Sequence, residues 1–389
     1  MQIKFYNTPQ SDSFQDSLSE VVQPPFLSYQ PEWGYISLLQ KECEKYSNIL
    51  VVAHGGSVSS FYGLYHAFID VSTKKVRFLN TTDPDYIDHL KSKISTEDTL
   101  VIAISKSGDT VTQLEALLHF LDYPLMVIST PGSTLYQIGE KLGATLVTHP
   151  PIGGRYTGMT EVALIPAALC GLDVKEMYAG ALEYFNNFNN DNPAWQAASM
   201  LWQLERDSGY VGVFMPFYSH YLFPFSQVIV QLCHESFGKD GKGQTYIPNE
   251  APESQHHTNQ RFFGGKKNLA GFFISQENFT HDKPTTVPET ISEIEIKGQK
   301  LSLLDQLPLS KSMQFELDGT IADATNQGIP IAHFSVADRS YREMGRFMGF
   351  WQLYAIYGSL LRGVNAFDQP QVEASKTVSF NKRMELKKN

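Results

Sequence analysis

Cysteine is scarce in this chain. There are three among 389 residues: Cys43, Cys170 and Cys233, far apart and without a CxxC pair. That spacing indicates neither a disulfide framework nor a zinc knuckle. It leaves the cysteines as small buried hydrophobes in a reducing compartment. Long apolar runs are absent as well. None reaches the ~20 residues that span a bilayer, and the polar stretch 1–25 lacks the basic start and apolar middle of a signal peptide. A soluble, cytoplasmic protein is expected. Basic residues are in deficit: Lys and Arg number 31 against 41 Asp and Glu, a net charge of −10. Recognition of a nucleic-acid backbone needs a basic face, so it is not expected. A small phosphorylated ligand needs only local donors and remains open. Metal-ligand spacing is missing too, because His256 and His257 are adjacent and no HExxH occurs. Neither a Walker A loop nor a GxGxxG turn is present. The glycine- and lysine-rich stretch 238–243 lacks the GxxxxGK[ST] spacing.

What the chain does have is size and a 42% hydrophobic composition, enough for two packed domains. Apolar runs at 48–53, 100–105, 125–130, 210–215, 269–275 and 329–336 predict strands buried on both faces. They alternate with helical stretches, which implies βαβ units and parallel sheets. After the second run, Leu114, Leu117, Leu118 and Leu121 form an apolar stripe, and Met344, Phe347, Met348 and Trp351 repeat it in a late helix. Both stripes are read as core. The Asn- and Asp-rich segment 186–193 ends in Pro and reads as a loop between two halves. The expected division is 1–190, an α/β domain with an N-terminal extension, and 191–389, a second α/β domain with a C-terminal helical segment. Residues 275–290 read as a surface excursion. The polar, basic residues after Lys376 have the composition of a fraying end.

Two strand-to-loop junctions share a chemistry. One is Val51-Val52-Ala53-His54-Gly55-Gly56-Ser57, followed by a helix over 58–68. The other is Ile102-Ala103-Ile104-Ser105-Lys106-Ser107-Gly108-Asp109-Thr110. A phosphate dianion needs convergent donors, which helix N-termini, close-approaching glycine backbones and hydroxyls supply. Ser57, Ser105, Ser107 and Thr110 suit that role. In open α/β sheets such loops lie where ligands bind. Each loop alone is equally a plain turn with an N-cap. Two charges stand out elsewhere. Glu235 ends the amphipathic run 227–235. Arg155 lies in Pro150-Pro151-Ile152-Gly153-Gly154-Arg155-Tyr156, a turn leading into an apolar helix. Read alone, each is equally a solvated charge.

Taken together and in order, these segments resemble the glucose-6-phosphate isomerases, in particular the bacterial branch. The resemblance is carried by Gly55-Gly56-Ser57, Ser105-Lys106-Ser107-Gly108, Ile152-Gly153-Gly154-Arg155-Tyr156-Thr157, and the run from Gln231 through Glu235-Ser236-Phe237-Gly238-Lys239 to Gly243. It extends to Gln255-His256-His257-Thr258-Asn259-Gln260 and to Asn365-Ala366-Phe367-Asp368-Gln369-Pro370-Gln371-Val372-Glu373-Ala374-Ser375-Lys376. It implies two sugar-isomerase (SIS) domains, each an α/β/α sandwich with a mainly parallel sheet. It also implies a homodimer whose active site lies near the subunit interface. The implied activity is reversible isomerisation of glucose 6-phosphate and fructose 6-phosphate in glycolysis and gluconeogenesis, with no cofactor and no metal.

Such an isomerisation moves a proton between adjacent carbons through an enediolate. It needs a base, a cation near the oxyanion and help in opening the sugar ring. By resemblance, Glu235 would be the base and Arg155 would stabilise the enediolate. His256 would assist ring opening and reach in from the neighbouring subunit; it is preferred over His257 for its spacing to Gln260. Lys376 would act at the ring oxygen or position the sugar. Gln231, one helical turn before Glu235, would line the pocket, and Gly56, Ser57, Ser105, Lys106, Ser107 and Thr110 would hold the phosphate.

The chain departs from the family at the second loop, where Asp109 replaces Thr and Thr112 replaces Glu. A carboxylate beside a phosphate is unfavourable unless it points away. His54 stands where the family has a small or apolar residue, and is expected to be packed or hydrogen-bonded. A sugar-phosphate sensor would need the loops but not Glu235, Arg155, His256 and Lys376 together. Specificity shifted to mannose 6-phosphate is a further alternative.

Overall fold

A computed structural model of the chain describes residues 1–9 and 23–387. Strand β1 (Gln2–Tyr6) comes first. Helix α1 (Trp33–Glu42) leads into β2 (Asn48–Ala53), α2 (Gly56–Ala67), β3 (Lys75–Leu79), α3 (Pro84–Lys91) and β4 (Thr99–Ser105). Then come α4 (Val111–Leu117), β5 (Leu125–Ser129), α5 (Thr134–Leu142), β6 (Thr145–Thr148) and the helices α6 (Glu161–Leu169), α7 (Val174–Phe185) and α8 (Pro193–Ser208). The second half runs through β7 (Gly212–Tyr218), α9 (Ser226–Phe237), β8 (Thr245–Glu250), α10 (Thr258–Gly264) and β9 (Leu269–Gln276). A small hairpin, β10 (Glu295–Ile296) and β11 (Gln299–Lys300), precedes α11 (Leu309–Asn326), β12 (Ile331–Val336), α12 (Tyr341–Arg362) and α13 (Glu373–Leu386).

Two five-stranded sheets result, ordered β3-β2-β4-β5-β6 and β1-β12-β9-β7-β8. The first is parallel throughout. The second is parallel except for β1, which runs antiparallel to β12. With β1 set aside, in both the second strand in the chain takes the edge and the third returns to the other side of the first. Each sheet therefore has a topological switch point, between β2 and β4 and between β7 and β9, where crevices open at the strand carboxyl ends. The SIS-type α/β class expected from the resemblance is the class observed.

The six apolar runs all form strands. β1, β3, β6 and β8 carried no such signal. They lie at or near sheet edges with partly exposed residues, so water faces them and no continuous apolar run is required. β1 pairs Gln2 with Ser335 and Tyr6 with Ile331. It completes the sheet of the second half, so a division at residue 190 does not follow the sheets at this strand.

Helix α12 lies at the centre and packs on α7, α8 and α9. Its stripe Met344, Phe347, Met348 and Trp351 is buried as expected. One continuous core joins the inner faces of the two sheets, from Ile102 and Ile128 to Phe272 and Phe334. The leucine stripe after β4 is corrected. α4 ends at Leu117 and tightens into a 3-10 turn, Leu118–Phe120. That change of pitch buries Leu117 and Phe120 and leaves Leu118 60% exposed. After Lys376 the described residues continue α13 to Leu386. Among the described residues, no helix is long and apolar enough to cross a membrane.

Candidate active site

The site builds on the first switch point. Gly55 has φ 53° at the cap of α2, a left-handed turn that suits glycine. Gly56 follows, pressed against the 3-10 turn Gly154–Tyr156. A Cβ on Gly56 would stand 2.2 Å from the Gly154 carbonyl carbon, so the two backbones touch and the turn is seated on α2. That seat aims Arg155 inward, 4% exposed. All its nitrogens are used. Nε donates to Ser236 Oγ at 2.9 Å, Nη1 to Glu235 Oε2 at 3.1 Å and Gln369 Oε1 at 2.9 Å, and Nη2 to the carbonyls of Ala366 at 2.5 Å and Asp368 at 3.0 Å. The Tyr156 hydroxyl shares a 2.7 Å hydrogen bond with Ser236. Burial pushes that phenol up to about 12.

Glu235 is in the last turn of α9, with Gln231 one turn earlier on the same face. Ser59 Oγ of α2 donates to Gln231 Oε1 at 3.0 Å, and Gln231 Nε2 donates to Glu235 Oε1 at 3.1 Å. Both carboxylate oxygens thus have a partner, one an amide and the other the buried guanidinium. The carboxylate is not sealed in. Its side chain is 33% exposed and faces a cleft of about 380 Å³ lined by Gly55, Ser59, Asn80, Gln227, Gln231 and His234. Burial lowers the His234 imidazole below its ordinary range, and its Nε2 accepts from the Tyr246 amide at 3.0 Å.

The second loop is held from behind. Gly108, at φ 68°, donates its N–H to Ser105 Oγ at 3.1 Å. Ser129 Oγ donates to the Ser105 carbonyl at 2.7 Å, and Thr130 Oγ1 to the Lys106 carbonyl at 2.6 Å. Gln113 Nε2 bridges the ends of β2 and β4 through the carbonyls of Val52 at 2.8 Å and Ile104 at 2.9 Å. Lys106, Ser107 and Asp109 are exposed, and Ser57 and Thr110 half-buried. Thr110 caps α4 by position, but its side chain makes no capping bond, which leaves the hydroxyl available. His54 is packed rather than hydrogen-bonded: burial lowers its pKa, and its Nε2 is buried without a partner.

A further support was not expected from the sequence. Lys239, 6% exposed, donates to the Asp368 carbonyl at 2.5 Å and to Asp368 Oδ1 at 2.6 Å, and also to the Asn365 carbonyl. The hydrogen bond from Lys239 holds the Asp368 carboxyl below the usual carboxylate range. The 238–243 stretch is therefore a clamp on the 365–369 segment, which in turn holds Arg155. Ser59, Ser236, Asp368 and Gln369 were the members missed. The last three sit inside recognisable blocks, but only the fold reveals what they touch.

Two expected residues stand apart. His256, in the 3-10 turn Glu253–His256, is exposed and has no contact with the Glu235 group. His257 Nδ1 accepts from the Thr258 amide at 2.7 Å and caps α10. Lys376, near the start of α13, is exposed and pairs with Glu373 at 2.7 Å. Among the described residues, no group of three or more His, Cys, Asp or Glu could hold a metal ion. What the geometry provides is a carboxylate with both oxygens oriented, beside a buried guanidinium. It opens on a cleft bordered by a donor-rich loop. That combination suits moving a proton on a substrate whose transition state carries an oxyanion.

Comparison with known proteins points the same way. No family model matches the chain. It is 26% identical over 380 residues to a probable glucose-6-phosphate isomerase of Methanococcus maripaludis, covering 90% of this chain and 83% of that protein. It is 29% identical over 321 residues to the glucose-6-phosphate isomerase of Levilactobacillus brevis, covering 77% and 70% respectively. In three dimensions it resembles a glucose-6-phosphate isomerase from Chlamydia trachomatis, with a TM-score of 0.72, 19% identity, and 96% of this chain and 78% of that one covered.

Proposed function

We propose that the chain is a glucose-6-phosphate isomerase, interconverting glucose 6-phosphate and fructose 6-phosphate by proton transfer through an enediolate. The observation that carries this reading is the contact of Arg155 Nη1 with Glu235 Oε2 at 3.1 Å, at the edge of a cleft lined by Gly55 of the first donor-rich loop. The similarity to glucose-6-phosphate isomerases over most of the chain supports it.

Glu235 takes the proton from one carbon and returns it to its neighbour. Gln231 and Arg155 each hold one of its oxygens, which fixes the carboxylate at the edge of the cleft. Arg155 meets the charge that develops on the enediolate oxygen. It does so through its charge, which Ser236, Gln369 and the Ala366 and Asp368 carbonyls hold in place beside the cleft. Gly56, Ser57, Ser105, Lys106, Ser107 and Thr110 hold the phosphate. Lys376 acts at the ring oxygen or positions the sugar. His256 serves ring opening in the cleft of a second copy. Its place on the surface, away from its own Glu235, supports a homodimer with shared sites. The exposed apolar residues Phe380, Met384 and Leu386 of α13 support it too. The enzyme would work in the cytoplasm, in glycolysis and gluconeogenesis.

The test is conversion of fructose 6-phosphate to glucose 6-phosphate, coupled to a dehydrogenase, with and without EDTA. EDTA-insensitive turnover is expected, with a loss of about 10²–10⁴-fold in Glu235→Gln. A Glu235→Gln variant that keeps most of the rate would discard the assigned base.

A further inference from the structure

Among the described residues, helix α13 touches the rest of the chain through very little. Among its described residues, Arg383 alone is not exposed. Its guanidinium meets Glu115 of α4 with two parallel bonds, Nε to Oε1 and Nη2 to Oε2, both at 2.6 Å. Its third nitrogen is aligned from within the helix, Nη1 donating to Ser379 Oγ at 2.7 Å and to the Ser379 carbonyl at 3.2 Å. At the other end, α13 is joined to the 365–369 segment, which is pinned on Arg155 and Lys239. The helix thus spans from the Arg155–Glu235 group to α4, the helix that follows the 105–110 loop.

Lys376 lies between these two anchors. It precedes Arg383 by seven residues, two helical turns, so both side chains leave the same face about 10 Å apart along the axis. A partly exposed ion pair adds little to global stability. A bidentate one does fix direction. The geometry points to Arg383 as a positioning residue: by gripping Glu115 it sets the angle of α13 and so where the Lys376 amine can reach. This rests on the proposed role of Lys376 in sugar binding or ring opening. Glu115 and Arg383 belong to none of the blocks that carry the family resemblance.

The experiment is steady-state isomerase kinetics on the full chain for Arg383→Gln, Glu115→Gln, Lys376→Ala, the double variant Arg383→Gln/Lys376→Ala and the swap Arg383→Glu/Glu115→Arg. Either clamp variant is expected to lower kcat/KM about 10-fold, with a thermal midpoint within about 3 °C of the parent. The double variant should be no slower than Lys376→Ala, and the swap should recover most of the loss. Wild-type kcat/KM in Arg383→Gln, losses that multiply in the double variant, or a swap no better than the single variants would overturn the assignment. An inactive parent chain would instead overturn the isomerase reading, and this inference with it.

Discussion

Gly56 and Gly154 meet backbone to backbone, and the contact is one-sided. A Cβ added to Gly56 would fall 2.2 Å from the Gly154 carbonyl carbon, whereas one added to Gly154 would meet Gly56 Cα at an ordinary 3.6 Å. Two glycines that look alike in the sequence therefore differ in tolerance. Gly56→Ala should push the 3-10 turn and Arg155 away from α2. It should cost about 3 kcal/mol and most of the isomerase activity. Gly154→Ala should stay near wild type in both. Urea unfolding and the coupled assay on the two variants decide it; equal behaviour would remove the packing argument.

Arg155→Lys should be far from conservative. The guanidinium spends its nitrogens on Ser236, Glu235, Gln369 and two carbonyls, and one ammonium cannot serve that fan of acceptors. Turnover should fall by about 10²–10³-fold. KM should change far less, because the enediolate charge is absent in the ground state. Binding of a sugar-acid phosphate that mimics the enediolate should weaken in step with kcat. A variant with raised KM and normal kcat would move Arg155 from oxyanion to ground-state binding.

Asp109 is an exposed carboxylate in the loop assigned to the phosphate, and no described side chain pairs with it. Repulsion of a phosphate at about 4 Å in water is worth ~1 kcal/mol per charge. For a dianion that is about 2 kcal/mol, so Asp109→Asn should lower KM about 30-fold at low ionic strength, with kcat unchanged and the difference shrinking in salt. An unaltered KM would mean that the side chain points away from the ligand.

His149 should leave a signature in the pH dependence of stability. It is 3% exposed, its Nδ1 lies 2.7 Å from the Pro150 carbonyl, and burial pushes it down to about 4. The unfolded chain, with an imidazole near its ordinary ~6.5, takes up the proton first as pH falls. Stability linked to this group is therefore full above about pH 6.5 and is lost progressively toward pH 4, by about 3 kcal/mol. His149→Asn, which can keep the donor to Pro150, should flatten the unfolding free energy over that window. His54 and His333, both lowered by burial, retain part of the slope. A full wild-type slope in His149→Asn would assign the effect elsewhere.

Much of this architecture is legible in short windows of sequence. The doubly buried strands show as apolar runs because both of their faces meet side chains. The stripe of α12 shows because every turn of that helix meets core. The i, i+4 spacing of Gln231 and Glu235 places them on one face wherever the helix lands. Edge strands such as β3 and β8 do not show, since water covers part of them. Leu118 misleads for a related reason: periodicity assumes the helix keeps its pitch, and α4 tightens one residue before Leu118.

The sequence by itself determined the α/β class, the two donor-rich loops and the residue types available for chemistry, because each is set by interactions within about ten residues. Only the tertiary structure decided which of them meet. Arg155 reaches Glu235 across 80 residues of chain. β1 crosses to the second sheet because the far edge of β12 is unpaired without it. Lys239 finds Asp368, and Arg383 finds Glu115, through contacts no local pattern encodes. These pairings depend on how the two sheets pack around α12, and that packing is a property of the whole core rather than of any segment.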